Sequence, residues 1–177
     1  MEDFYRQTLW TNFAAAIDML TQVVSLCPDN LWQPDKRFFY LVYHTTIFLD
    51  YTLTQPVRNF IPVLPYTLTD PGNLPAEAVD DVIPNQFYSR EEIIASISGA
   101  REKCRELVLG TSTEKLKGRW IDETEIDMHG LCPSLVINYS ILDILFYSFR
   151  HVQHHVGQLN YLLRQSTGSS PEWIAKS

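Results

Sequence analysis

Apolar residues recur along much of the chain at the three- to five-residue steps that place side chains on one face of an α-helix. The first such stretch covers residues 3–26, with apolar positions at Phe4, Leu9, Phe13, Ile17, Leu20 and Val24. This spacing predicts a helix that ends at Cys27-Pro28-Asp29-Asn30. A second helix is predicted from about Asp35, its expected N-cap after Pro34, to about Thr54, where Gln55-Pro56 stops it.

Two further helices are predicted from capping signatures. Ser89 and Glu92 have the spacing of a capping box, so a third helix is expected to begin there and to end near Gly110. Ser140 and Asp143 have the same spacing, and the fourth helix is predicted from about Ser140 to about Gln165. An earlier start, directly after Pro133, stays open because the residues between are apolar too.

The connection between helices two and three, residues 55–88, is rich in proline. It contains Pro56, Pro62, Pro65, Pro71, Pro75 and Pro84, and proline breaks helices because it lacks a backbone N–H. Its aromatic and aliphatic residues predict that it packs on the helices. Residues 111–133 form a second irregular connection. The chain shows no alternation long enough to predict a sheet-based fold, so we expect an all-α four-helix bundle that forms one domain over residues 1–177.

Charge and composition exclude several classes of function. The net charge of −7 argues against nucleic acid as a partner, because phosphate binding needs a clustered basic surface. No apolar run is long enough to span a membrane, and the acidic start of the chain does not resemble a signal peptide, so we expect a cytoplasmic protein. The spacing of Cys27, Cys104 and Cys132 indicates neither a disulfide framework nor a zinc ribbon.

Histidine supplies the candidate chemistry. Three of the five histidines lie within residues 151–155, and His151 and His155 are one helical turn apart on one face. His44 interrupts the apolar face of helix two and completes a possible set of three ligands for a divalent metal ion, with a position left for water or substrate. The alternative is that these are surface or core histidines without a metal. The chain lacks the Glu of an H-E-x-x-H metalloprotease motif, and we expect His129 to be a solvent-facing loop residue.

The stretch "HVQHHVGQLNYLLRQ" resembles the last-helix signature of the DinB/YfiT-like superfamily, and "FFYLVYHTTIFLDYTL" resembles the second-helix segment of that family. The resemblance covers the helical parts of the chain and implies an up-down-down-up bundle. It implies that His44, His151 and His155 hold the metal and that His154 is not a ligand. It also implies a homodimer. Many members carry an Arg directly after the last ligand, where this chain has Val156.

The resemblance implies a metal-dependent enzyme that acts on a small molecule. We expect a thiol-dependent transferase, using a low-molecular-weight thiol, or a hydrolase, with zinc or nickel as the ion, since imidazole suits both metals. A bound thiol or water would become a nucleophile near neutral pH. The alternative is a non-catalytic, stress-related bundle that binds a metal or a ligand.

Several neighbouring residues have two possible roles. Asp50 and Asp143 are candidates to accept the second N–H of a ligand histidine, although helix capping is the better interpretation of Asp143. Gly157 predicts a close approach of two helices. The connection 55–88 is expected to form either a wall or lid of the metal pocket or a passive cover. Tyr43, Tyr51 and Tyr147 are expected to pack in the bundle, and the alternative is that a tyrosine hydroxyl in the pocket orients a substrate.

Overall fold

A computed structural model describes residues 2–177, and its fold is predominantly helical. The five α-helices are α1 (Glu2–Leu26), α2 (Arg37–Leu53), α3 (Arg90–Gly110), α4 (Thr113–Lys117) and α5 (Ile141–Thr167). Two short antiparallel strands, β1 (Tyr66–Leu68) and β2 (Val82–Pro84), form a small sheet within the proline-rich connection. The all-α prediction is therefore confirmed, with the addition of this hairpin and of the short helix α4, neither of which was predicted.

The four predicted helices match the four long ones, and their caps explain where they begin and end. Ser89 and Ser140 form the predicted capping boxes with Glu92 and Asp143. The predicted N-cap at Asp35 is wrong, since the cap residue of α2 is Lys36. Lys36 makes no side-chain cap bond, so the start of α2 depends on packing instead of capping chemistry.

The connection after Pro133 does not belong to the last helix. Residues Ser134–Val136 form a separate single turn of 3-10 helix, and α5 begins only after its Ser140 cap. At the other end, α5 stops at Gly168, whose positive φ of 73° is a conformation that glycine adopts without steric cost. Of the two predicted starts of α5, the later one, at Ser140, is confirmed.

Helices α2 and α3 run in the same direction. At the start of both helices, the ring of Phe87 lies 4.9 Å from that of Phe39. Near their ends, Lys103 of α3 donates to Asp50 and Thr54 at the end of α2. Parallel neighbours need a connection that returns along the whole length of the helices, and this explains why residues 55–88 are so long.

The remaining contacts fix the direction of the other two long helices. Arg6 near the start of α1 donates to the carbonyl of Val108 near the end of α3, so these helices are antiparallel. Ser148 in the first half of α5 donates to Thr52 near the end of α2, so these two are antiparallel as well. Helices α1 and α5 therefore run in one direction, and α2 and α3 run in the other.

One apolar core fills the space between the long helices, where α1 and α2 each pack on both α3 and α5. The proline-rich connection joins this core, as predicted, through its buried residues Val57, Phe60, Leu64, Val82 and Tyr88. The hydroxyl of Tyr43 in α2 donates to the carbonyl of Leu64 over 2.9 Å, which attaches the connection to the helix.

None of the helices formed by residues 2–177 is long and apolar enough to cross a membrane.

Candidate metal centre

The three predicted ligand histidines come together between α2 and α5. His44 lies in the middle of α2, and His151 and His155 lie one turn apart on α5. The Nε2 atom of His151 is 3.0 Å from Nε2 of His44 and 3.1 Å from Nε2 of His155. His44 and His155 are 9% and 7% exposed, so the cluster is largely withdrawn from water.

Hydrogen bonds on the far side of two rings determine where their protons are. The Nδ1 atom of His44 lies 2.8 Å from Oδ2 of Asp80, and Nδ1 of His155 lies 2.7 Å from Oε1 of Gln158. Both oxygens are acceptors, so each Nδ1 carries the proton and donates it. The Nε2 atoms of His44 and His155 are then left as unprotonated lone pairs that point at the same place.

The three histidines cannot provide a hydrogen-bond donor for every Nε2 lone pair in the cluster. A single proton on Nε2 of His151 can bridge well to only one of its two neighbours, which leaves a second buried lone pair without a donor. A metal ion accepts all three lone pairs at once. Zinc–nitrogen bonds are about 2.0–2.1 Å long, and nitrogens 3.0–3.1 Å apart can both reach one ion at that distance. The donor set therefore fits a divalent metal.

Burial keeps the cluster in its metal-binding protonation state. Desolvation, with a further contribution from the neighbouring His44, lowers the pKa of His151 to about 3 and that of His155 to about 4. Both rings are neutral at pH 7, as a metal ligand must be. These two histidines could therefore bind a metal ion without having to lose protons first.

Aromatic side chains hold two of the rings in place. Phe48, one turn after His44 on α2, lies 4.7 Å from the His44 ring between centroids. Tyr147 stacks on His151 at 6.0 Å with an angle of 11° between the ring planes. Packing of this kind restricts rotation of the imidazoles and fixes the direction of their nitrogens.

His154 lies outside the cluster. Its side chain is exposed, and its ring centroid is 5.1 Å from that of His155. The three-residue group whose donor atoms all lie within 4.8 Å of one another consists of His44, His151 and His155. The distinction that the sequence made between His154 and the other two is reproduced in the fold.

The carboxylate beside the site differs from the one that the sequence suggested. Asp50 does not contact a histidine, because it points toward α3 and pairs with Lys103. Asp143 caps α5, as preferred. The carboxylate that accepts from His44 is Asp80, which belongs to the proline-rich connection. That connection thus reaches the site and forms part of its wall.

Two other expectations are corrected. A Cβ atom added to Gly157 would meet nothing within 4 Å, so no close helix approach explains this glycine. His129 is half-buried instead of solvent-facing, because its ring packs against Phe60 and Tyr51 with Nε2 3.2 Å from the carbonyl of Val57. Irregular segments have no periodicity from which such contacts could be predicted.

The three tyrosines behave as packing residues. Tyr43 fixes the connection through Leu64, and Tyr51 packs edge-on against Trp120 at 5.9 Å. Tyr147 is the one that touches a ligand histidine. Gln158, for which the sequence suggested no definite role, is the partner of His155 Nδ1 and was recognisable only by its position one turn after that ligand.

No protein-family model, curated protein or solved structure matches the chain in comparisons with known proteins.

Proposed function

We propose that this protein is a metal-dependent enzyme with a four-helix bundle of the DinB/YfiT-like type. In this proposal His44, His151 and His155 hold one divalent ion, with zinc or nickel as the metal. The observation that carries the proposal is the set of three Nε2 atoms that converge while Asp80 and Gln158 retain the protons of two rings on Nδ1.

The helix directions support the bundle type. Helices α1 and α5 run one way and α2 and α3 the other, which is the up-down-down-up order that the sequence resemblance implies. The ligands come from the second and the last long helix, as they would in that family. The resemblance also suggests the reaction, a transfer that uses a low-molecular-weight thiol, with hydrolysis as the second possibility.

Three neutral imidazoles leave coordination positions for a substrate atom. The ion would supply a positive charge that lowers the pKa of a thiol or water bound to it, and so create a nucleophile near pH 7. The chain contributes the orientation of the ligands through Asp80 and Gln158 and the exclusion of water through Phe48 and Tyr147. A non-catalytic metal-binding protein would need the ligands but would not turn over a thiol.

Metal content tests the proposal directly. Protein purified without a polyhistidine tag is expected to contain about one zinc or nickel ion per chain, and the His44→Ala/His155→Ala variant is expected to contain none. His154→Ala is the matched control and should retain the metal, because its ring lies outside the cluster. Equal metal content in wild type and the double variant would refute the metal centre. Metal without any thiol-transfer or hydrolase activity would favour the binding protein.

We propose further that the protein is a cytoplasmic homodimer. Apolar side chains are exposed near the starts of α1 and α5, where Tyr5 is 63% and Phe146 47% exposed. They border an apolar groove of about 470 Å³ between these helices. A second copy of the chain would remove this surface from water. Light scattering at micromolar concentration should give twice the mass of the chain, and a monomer would contradict the dimer.

A further inference from the structure

A small pocket lies between α1 and α5, and the segment that follows α5 contributes one side chain to it. Its volume is about 250 Å³, and its lining includes Met19 of α1, Val156 of α5, the carboxamides of Gln153 and Asn160, and the indole of Trp173. Among residues 2–177 no charged side chain and no residue of α2 lines this pocket. It is therefore separate from the histidine cluster, and its chemistry suits an uncharged ligand with a polar edge.

Trp173 differs from the other tryptophans in its exposure to water. It is 75% exposed, whereas Trp10, Trp32 and Trp120 are at most 8% exposed. An exposed indole is unusual, because burying an aromatic ring removes a large apolar surface from water. Trp173 therefore offers a free aromatic face beside the pocket.

The position of this indole is fixed by neighbours that pack on the bundle. Ile174 packs against the apolar core. The backbone N–H of Ser177 donates to the carbonyl of Thr11 over 3.1 Å, and the Ser177 hydroxyl accepts from Nη2 of Arg101 over 3.2 Å. The fold therefore holds Trp173 beside the pocket while its ring stays in water, which indicates a binding surface.

Three residues on one face of α5, at the helical spacing i, i+4 and i+7, form the polar edge of the pocket. They are Gln153, Gly157 and Asn160. Within residues 2–177 the exposed amide of Gln153 has no hydrogen-bond partner, and the Oδ1 atom of Asn160 is buried without one. A Cβ atom on Gly157 would meet nothing within 4 Å, so the glycine leaves the space between the two carboxamides open. Glycine destabilises the interior of a helix, and the pocket gives a reason for this one.

The lining matches the face and the edge of a purine that carries an amino group. Aromatic side chains stack on nucleobases, and a thioether such as that of Met19 packs favourably against an aromatic ring. A carboxamide pairs with adenine through two hydrogen bonds, since its oxygen accepts from the exocyclic amino group and its NH₂ group donates to N7. Among residues 2–177 the lining holds no cation, and the net charge of −7 does not favour a phosphate.

We propose that this pocket binds an uncharged aminopurine, as the free base or as its nucleoside. In the bound state the base stacks on Trp173, and its amino group and N7 pair with the carboxamide of Gln153. Binding alone is proposed, and no bond in the ligand breaks. The inference goes beyond the proposed function and does not depend on a metal ion at the histidines.

Iodide quenching of the fluorescence of the full chain tests the site, because iodide quenches exposed tryptophans by collision. Within residues 2–177 Trp173 is the one tryptophan that iodide can reach freely. Adenosine is expected to protect it against iodide. Purine riboside, the same nucleoside without the amino group, should bind about 2- to 10-fold more weakly, the range of one neutral hydrogen bond. Adenosine monophosphate should bind no more tightly than adenosine.

Matched variants separate stacking from hydrogen bonding, with the affinity measured by calorimetry. Trp173→Ala should weaken adenosine binding by about 5- to 150-fold, the usual effect of removing a stacking side chain, and Trp173→Phe should retain most of the affinity. Gln153→Leu should remove the preference for adenosine over purine riboside. Both side chains are exposed, so these changes should leave the fold intact. Arg37→Gln is the control and should bind like wild type, since Arg37 does not line this pocket.

Several outcomes would overturn the purine site. One is the absence of both protection and heat of binding at millimolar adenosine. Others are equal affinity of wild type and Trp173→Ala, equal binding of adenosine and purine riboside by wild type, or a preference for adenosine that survives in Gln153→Leu. Methyl glucoside represents the competing class of uncharged ligand, and protection by this sugar in place of adenosine would also overturn the proposal. Metal content should be the same in all of these variants, so the result is independent of the metal centre.

Discussion

Helix α2 carries two buried polar sites that differ in the kind of partner their side chains meet. His44 faces α5 and meets two more imidazoles, while Asp50 faces α3 and meets Lys103. Both residues are at most 9% exposed, so each had to lose most of its contact with water. A buried polar group is costly unless it finds a partner.

At the Asp50 site the protein itself supplies the balancing charge, although Oδ2 of Asp50 has no hydrogen-bond partner among residues 2–177. Lys103 neutralises the carboxylate and also donates to Thr54 over 2.9 Å. The histidine site brings together three groups of the same kind, with more lone pairs than protons between them. The comparison shows that burial alone does not distinguish a structural polar site from a ligand site. What distinguishes these two sites is that a cation of the protein lies beside Asp50, whereas the protein provides no group of opposite character for the converging lone pairs of the histidines.

The largest effect on stability at neutral pH is expected at the Asp50 site. Lys103→Met leaves the Asp50 carboxylate buried without its cation, and the free energy of unfolding should fall by about 2–3 kcal/mol. This is below the full cost of breaking a buried pair, because 37% of the Lys103 side chain is exposed. Urea unfolding of the metal-free protein measures it.

The metal content of Lys103→Met should remain that of wild type, since Lys103 lies on α3 and does not contact the histidines. Loss of metal from this variant without loss of stability would show that the two sites of α2 are coupled, and the contrast between them would no longer hold.

A second prediction concerns the carboxylate that orients His44. Asp80→Asn keeps an oxygen acceptor near Nδ1 but removes the negative charge, and affinity for zinc should fall by about 10- to 100-fold, the usual cost of losing such a partner. Competition with a coloured chelator measures this affinity. Asp81→Asn is the control, because within residues 2–177 the neighbouring Asp81 side chain forms no hydrogen bond or ion pair with the cluster histidines. Equal losses in both variants would point to a general charge effect.

The effect that is smallest at neutral pH, and that grows as the pH falls, is the response of the metal-free protein to acid. His151 and His155 titrate near pH 3 and 4 when folded but near their ordinary pKa, about 6.5, when unfolded. Between these values the unfolded chain binds more protons, so stability should decrease as the pH falls from about 6.5 toward 4. Unfolding free energies measured across this range should fall less steeply in His151→Leu. An unchanged slope in that variant would mean that other groups control the acid response.

The sequence was sufficient to predict the long helices and the three histidines that come together between α2 and α5. Helical periodicity is local, so the spacing of His151 and His155 places both rings on one face whatever the rest of the chain does. His44 needed the resemblance as well, because a single histidine on an apolar face has no pattern of its own. The capping boxes at Ser89 and Ser140 were equally readable, since their chemistry spans only four residues.

The surroundings of the ligands were not predictable in the same way. Asp80 belongs to an irregular segment whose path depends on where β1, β2 and the buried Leu64 pack, and no period indicates which way its side chain points. Asp50 lies on α2, the helix that carries His44, but its side chain faces α3 instead of α5. His129 was misjudged for the same reason as Asp80, since contacts made by loops are determined by the tertiary structure.

The separation of the ligands along the chain has a consequence for the order in which the protein matures. His151 and His155 are four positions apart, whereas His44 lies 107 positions from His151 and 36 from Asp80. A growing or refolding chain can offer an ion two imidazoles as soon as one helical turn exists. The third ligand and its carboxylate arrive only after two long loops have closed, at an entropic cost that packing must offset. If the three histidines hold a metal ion as proposed, the last increment of metal affinity belongs to the folding of the whole chain, and a tightly held ion would mark a molecule that has completed folding.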